Sequence, residues 1–139
     1  MFDFRDYLPQ ATGLLPKWLL FISVVSAFNS AQSYFGGLTL TRRVYEANPA
    51  QVTGLSARTF GTWTFLASVI RLYGAYHIND PAVYDITYAT YIVALMHFSS
   101  EWIIYKTAKL GKGLAGPLIV STSTLVWMGL QKGYYLSQQ

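Results

Sequence analysis

The sequence predicts an all-α membrane protein, a four-transmembrane-helix bundle running up-down-up-down with short loops, as one domain over residues 1–139. Three observations predict it. No Asp, Glu, Lys, Arg or His stands between positions 18 and 41, and none between 113 and 131. Only 12% of residues are charged, about half the usual share, while 53% are hydrophobic and 17% aromatic. The apolar runs also lack the strict alternation that a membrane β-barrel needs, as in Trp18-Leu19-Leu20-Phe21-Ile22. A helix of about 20 apolar residues spans roughly 30 Å, the thickness of a bilayer's hydrocarbon core.

The predicted spans are 18–40, 59–76, 83–105 and 114–134. The first is too long for the core of a cleaved signal peptide, and Asp3 and Asp6 flank Arg5 where a signal would be strongly basic. It carries a small polar stripe of Ser23, Ser26, Asn29, Ser30 and Ser33, with Gln32 at its edge. Ala27 and Ala31 add a small-xxx-small spacing. Such a face lets helices approach closely, within the bundle or against a partner protein, and self-association is equally open to it. The second span is interrupted by Arg71; the third carries Asp85, His97 and Glu101. All five prolines are read as lying at or outside segment ends, with Pro81 and Pro117 opening helices, where a missing N–H costs nothing. A soluble four-helix bundle would need a charged face on each helix, and the first and fourth segments have none. The glycine pairs Gly36-Gly37 and Gly111-Lys112-Gly113 read as flexible helix ends.

Charge and composition exclude several functions. The net charge is +4, but the bases stand singly or at segment ends with no basic stripe, which argues against nucleic acid and for lipid headgroups. Arg42, Arg43, Arg58, Lys106, Lys109 and Lys112 outnumber Arg5, Lys17 and Lys132, so the positive-inside rule puts the first and third loops in the cytosol. Trp18, Trp102, Tyr105, Tyr134 and Tyr135 fall near the proposed interfaces. The chain has no cysteine, which removes disulfides, thiolate chemistry and zinc fingers. Two histidines are too few for a His-rich metal site. No G-x-S-x-G, Walker loop or dinucleotide fingerprint occurs, so no catalytic, metal-binding or cofactor-binding residue is expected.

Ionisable residues at membrane depth need partners. If the second and third segments form a hairpin around Asn79, Arg58 falls level with Glu101, and Arg71 falls near Tyr88, about one turn from Asp85. The expectation is two interhelical ion pairs, Arg58–Glu101 and Arg71–Asp85; the alternative is that these side chains snorkel to headgroups. His97 and Glu101, spaced i, i+4, share a helix face, and a hydrogen bond between them is expected.

With those residues in view, the chain resembles a known family. The carrying runs are Leu15-Pro16-Lys17-Trp18-Leu19-Leu20-Phe21 with Phe28-Asn29-Ser30-Ala31-Gln32-Ser33-Tyr34-Phe35; then Leu55-Ser56-Ala57-Arg58-Thr59-Phe60-Gly61-Thr62-Trp63-Thr64, continuing to Arg71-Leu72-Tyr73-Gly74-Ala75-Tyr76; and His97-Phe98-Ser99-Ser100-Glu101. Together they resemble the ergosterol biosynthetic protein 28 family, over about residues 15–136. The resemblance implies a multi-pass endoplasmic-reticulum membrane protein that is not an enzyme. It implies a scaffold tethering the sterol C-4 methyl oxidase, the C-3 sterol dehydrogenase/decarboxylase and the 3-keto sterol reductase. The family brings no agreed catalytic residues. Two other readings compete: a sterol- or lipid-binding membrane carrier, which an apolar cavity of several hundred Å³ near His97 would favour, and an acid/base enzyme using His97 and Glu101.

Overall fold

The structure is a computed structural model and describes residues 3–138, in which the regular elements are helices and no strand forms. The α-helices are α1 (Leu15–Phe35), α2 (Thr39–Val44), α3 (Gly54–Tyr76), α4 (Pro81–Ile103) and α5 (Lys112–Leu136). Two 3-10 turns, Phe4–Tyr7 and Pro49–Gln51, precede α1 and α3. The four long helices lie on the four predicted segments and alternate in direction. At one end the start of α1 meets the end of α5: the Leu15 amide donates to Tyr135 Oη at 3.1 Å. The α3–α4 turn joins them there through Asn79 Nδ2, which donates to the Tyr135 carbonyl at 2.8 Å. At the opposite end α2 meets the segment after α4, where the Ala47 amide donates to the Thr107 carbonyl at 3.1 Å.

Local chemistry sets the helix starts. Thr53 and Ser56 form a reciprocal capping box on α3. Asp80 caps α4, its Oδ1 accepting from the Ala82 and Val83 amides, and Pro81 occupies the first turn as expected. Four expectations fail here. The first helix stops at Phe35, not at 40, because Gly37 takes φ +80° and ends it. The chain then re-enters a helix, α2, and Arg42 and Arg43 lie on it where a loop was expected. Pro117 lies inside α5, in its second turn, because that helix already starts at Lys112. The Gly113 carbonyl thereby loses its usual helical donor. Gly113 itself is no flexible hinge: a Cβ there would stand 2.0 Å from the Arg43 carbonyl oxygen, so α5 and α2 touch backbone to backbone.

Helix α1 packs chiefly on α3, and α4 on α5. Ser23, Ser26, Ser30 and Ser33 are all buried, opposite the small residues Ala57, Gly61, Ala67 and Ser68 of α3. The serine stripe therefore serves packing within the chain. Ser23 and Ser30 donate back to the Leu20 and Ala27 carbonyls, so their hydroxyls need nothing from the neighbour. The close approach is sharpest at Gly61, where a Cβ would lie 2.9 Å from the Ser30 carbonyl oxygen. Ala31 and Gln32, at the other side of the stripe, are exposed.

Two apolar clusters close the bundle. One, at the end where α1 starts and α5 finishes, gathers Leu15, Leu19, Ile22, Tyr84, Tyr91, Met128 and Tyr135. The other, near α2, gathers Val44, Phe60, Ala94, Phe98 and Leu114. Large apolar side chains also cover the outside of every long helix: Phe28 is 65% exposed, Leu66 60%, Met96 66% and Leu130 81%. By length and composition one described helix, α5, is apolar enough to cross a membrane. Serines in α1, arginines in α3 and Asp85, His97 and Glu101 in α4 lower the hydropathy of the others.

The packing yields a paired expectation. Gly61→Val should destabilise the fold by about 1–3 kcal/mol, since the α1 backbone must move. Gly116→Ala, in open space on α5, should stabilise it by about 0.5–1 kcal/mol through helix propensity. Thermal unfolding of both variants in detergent measures this; equal effects would mean that α1 and α3 do not meet at Gly61.

Candidate functional site

A cavity of about 430 Å³ opens at the α2 end, between the first half of α3 and the last turns of α4. Its floor is aromatic. Tyr45 meets Phe60 edge-on at 5.7 Å and Phe98 face-on at 6.5 Å, and Trp63 meets His97 edge-on at 5.5 Å. The polar groups in its wall come from three elements. Tyr45, just after α2, shares a 2.6 Å hydrogen bond with His97 Nε2 of α4. Thr107 donates to Glu101 Oε1 at 2.8 Å, and the Glu101 carbonyl accepts from the Thr107 and Ala108 amides. The segment after α4 thus folds back beneath its own last turn. Burial, and then the neighbouring Glu101 charge, push the Tyr45 phenol above its ordinary value, so it keeps its proton and is able to donate to His97. Thr41 lines the same cavity; it is 1% exposed and its hydroxyl has no partner.

His97 and Glu101 therefore do share one face and one cavity, but the expected hydrogen bond between them does not form. Each is engaged elsewhere, by Tyr45 and Thr107. The Arg58–Glu101 ion pair does not form either. The cavity separates α3 from α4 at that level, and the exposed Arg58 guanidinium folds back beside Gly54 of its own helix.

The second expected pair, Arg71–Asp85, fails because of register. Arg71 lies level with Thr90, and Gly74 with Thr87, two residues further along α4 than a turn centred on Asn79 would give. At 1.5 Å rise per residue, Asp85 is thereby displaced about 7 Å along α4 from the level of Arg71. Asp85 pairs instead with Lys132 of α5, Oδ1 to Nζ 2.8 Å, with both side chains about half exposed. Arg71 is buried at 7% exposure. Its Nε donates to Thr90 Oγ1 at 3.1 Å, and its guanidinium carbon lies 4.0 Å from the Tyr91 ring centre. Asn29 faces the interior near Arg71, while Gln32 points outward. Sequence reasoning missed Tyr45, Thr41 and Trp63 as cavity residues. Only the second's place four residues before Tyr45 on an unforeseen helix would have signalled it.

The fold and its polar interior define a small helical protein with an apolar exterior and a ligand-sized cavity among aromatic side chains. The family model "Erg28 like protein" matches residues 15–126. Ergosterol biosynthetic protein 28 of Saccharomyces cerevisiae is 60% identical over 123 residues, covering 88% of this chain and 83% of that one. Its namesake in Candida albicans is 56% identical over 135 residues, covering 96% and 97%. The human homolog is 39% identical over 116 residues, covering 84% and 83%. No solved structure matches. The chain belongs to the ergosterol biosynthetic protein 28 family, a family of ergosterol biosynthesis.

Two substitutions separate the roles of the cavity hydroxyls. Tyr45→Phe removes the bond to His97 and should cost about 0.5–1.5 kcal/mol of stability. Thr41→Val removes a hydroxyl with no partner and should leave stability unchanged or raise it by up to about 1 kcal/mol. Unfolding midpoints in detergent decide; a loss with Thr41→Val equal to that of Tyr45→Phe would show that the Thr41 hydroxyl is bonded.

Proposed function

We propose that this chain is a non-enzymatic scaffold of the endoplasmic-reticulum membrane, a single domain whose four long helices each span the bilayer. It would hold the sterol C-4 methyl oxidase, the C-3 sterol dehydrogenase/decarboxylase and the 3-keto sterol reductase together. Family membership supports the sterol pathway. Apolar side chains outside all four long helices support the spans. The observation that carries the scaffold reading is the outer face of α1 and α3. Gln32 stands exposed between Phe28 and Phe35, and Arg58 beside Leu55. Gln32's amide has no hydrogen bond within the described residues. A primary amide on an apolar face is a costly group in lipid and a useful one against a partner helix. Tethering raises the effective concentration of each enzyme for its predecessor's product.

A second reading, a sterol or lipid carrier, is favoured by one observation: the 430 Å³ cavity beside His97, with its aromatic floor and the unpartnered Thr41 hydroxyl. A ring-bearing alcohol would find both an apolar wall and a hydroxyl to meet.

The tagged chain, solubilised from endoplasmic-reticulum membranes, is expected to bring down all three enzymes. Gln32→Leu with Arg58→Leu should lower recovery of at least one of them fivefold or more at unchanged unfolding midpoint. A chain that purifies alone with stoichiometric sterol would replace the scaffold by the carrier.

A further inference from the structure

A second cavity, of about 240 Å³, lies between the two apolar clusters and is lined by residues of all five helices. Its wall is mostly apolar, with a few polar side chains set into it. Arg71 reaches into it from α3, buried and without any acidic partner among the described residues. Its Nε bond to Thr90 Oγ1 is of ordinary length at 3.1 Å, but the terminal nitrogens are held loosely: Nη1 to Ser26 Oγ is 3.5 Å and Nη2 to the Thr90 carbonyl 3.4 Å, both beyond the usual range. A guanidinium carries five N–H donors, and these bonds leave two of them unspent. Three neutral groups around the same space are also unspent. Thr64 Oγ1 is buried without a partner. Ser121 is 3% exposed, and neither its hydroxyl nor the Asn29 amide has a partner among the described residues.

A buried cation with spare donors, ringed by unpartnered hydroxyls and an amide, is arranged for an anionic oxygen group. We propose that this cavity binds the carboxylate of an amphipathic lipid, with Arg71 as the charge partner and Asn29, Thr64 and Ser121 as neutral contacts. The volume admits a carboxylate and a short apolar stem. The rest of the ligand would leave where the cavity reaches the surface, between exposed Gly116 of α5 and Val25 of α1, which is 37% exposed. Gly116 has no atom within 4 Å of the place its Cβ would take, so the mouth is open there. Depth selects a carboxylate over a phospholipid headgroup. Ser121 is the tenth residue of α5, about 14 Å along the helix, whereas phosphates lie at the helix ends. The cavity adjoins the His97 cavity across Phe60 and Trp63, and the choice of a carboxylate rests on the membrane spans proposed above, not on the scaffold role.

The test is binding of oleate, oleyl alcohol and dioleoyl phosphatidate to the full chain in maltoside micelles. Oleate should bind saturably at one per chain and at least tenfold more tightly than oleyl alcohol. Arg71→Gln should weaken oleate tenfold or more and leave the alcohol unchanged. Because that variant removes interior contacts, Gly116→Leu provides the second arm: it fills the open mouth, should keep the unfolding midpoint, and should abolish oleate binding. Equal binding of acid and alcohol, oleate binding undiminished in Gly116→Leu, or phosphatidate binding more tightly than oleate would each overturn the proposal.

Discussion

The close approach of α1 and α3 is the constraint on which the rest of the bundle rests. It exists because one helix offers serines that bond to their own backbone and the other offers Gly61 and alanines at the same levels. Two backbones can then meet without a layer of large side chains between them. That pair is narrow, and α4 with α5 forms a second pair. Large side chains are left to fill the space between the pairs, and they do so only at the two ends. The middle is left as a cavity, where Ser26, Thr64, Arg71 and Ser121 stand among apolar side chains. The central cavity is thus a consequence of how tightly the outer pair closes.

The distribution of charge follows the same logic. Lys132 and Asp85 meet near the bundle end, where both stay partly exposed and where an ion pair contributes little. Arg71 is held by a threonine, a serine and the face of Tyr91, all neutral. An acid beside it would have neutralised the interior. Its absence leaves a positive field in a low-dielectric space, where a fixed charge acts most strongly.

The sequence made the faces legible and left the distances obscure. Apolar runs located the four long helices, the serine spacing marked a close-packing face without naming the helix it meets, and the i, i+4 spacing placed His97 and Glu101 together. Hydropathy carries no information on register, so a shift of two residues between α3 and α4 was enough to dissolve the Arg71–Asp85 pair. Proximity at equal depth also says nothing about what lies between, and at Arg58 and Glu101 a cavity does. Helix α2 escaped notice because six residues give too short a period to read. Gly113 reads from sequence like any helix-end glycine; only the Arg43 carbonyl opposite it shows why a side chain is forbidden there.

The bond from the Leu15 amide to Tyr135, with Thr12 and Gln138 exchanging hydrogen bonds beside it, joins the first helix to the last. During synthesis α1 and α3 become available early and can pair while the remainder is still being made. The seam between residues 12–15 and 135–138 closes only once the end of α5 has been made. Until then the indole of Trp18 lacks the Thr124 hydroxyl that receives it at 2.9 Å, and the interior stands open along one side. The finished fold is therefore a ring fastened at α5, and removing residues 135–138 would remove the fastening while leaving every long helix nearly whole.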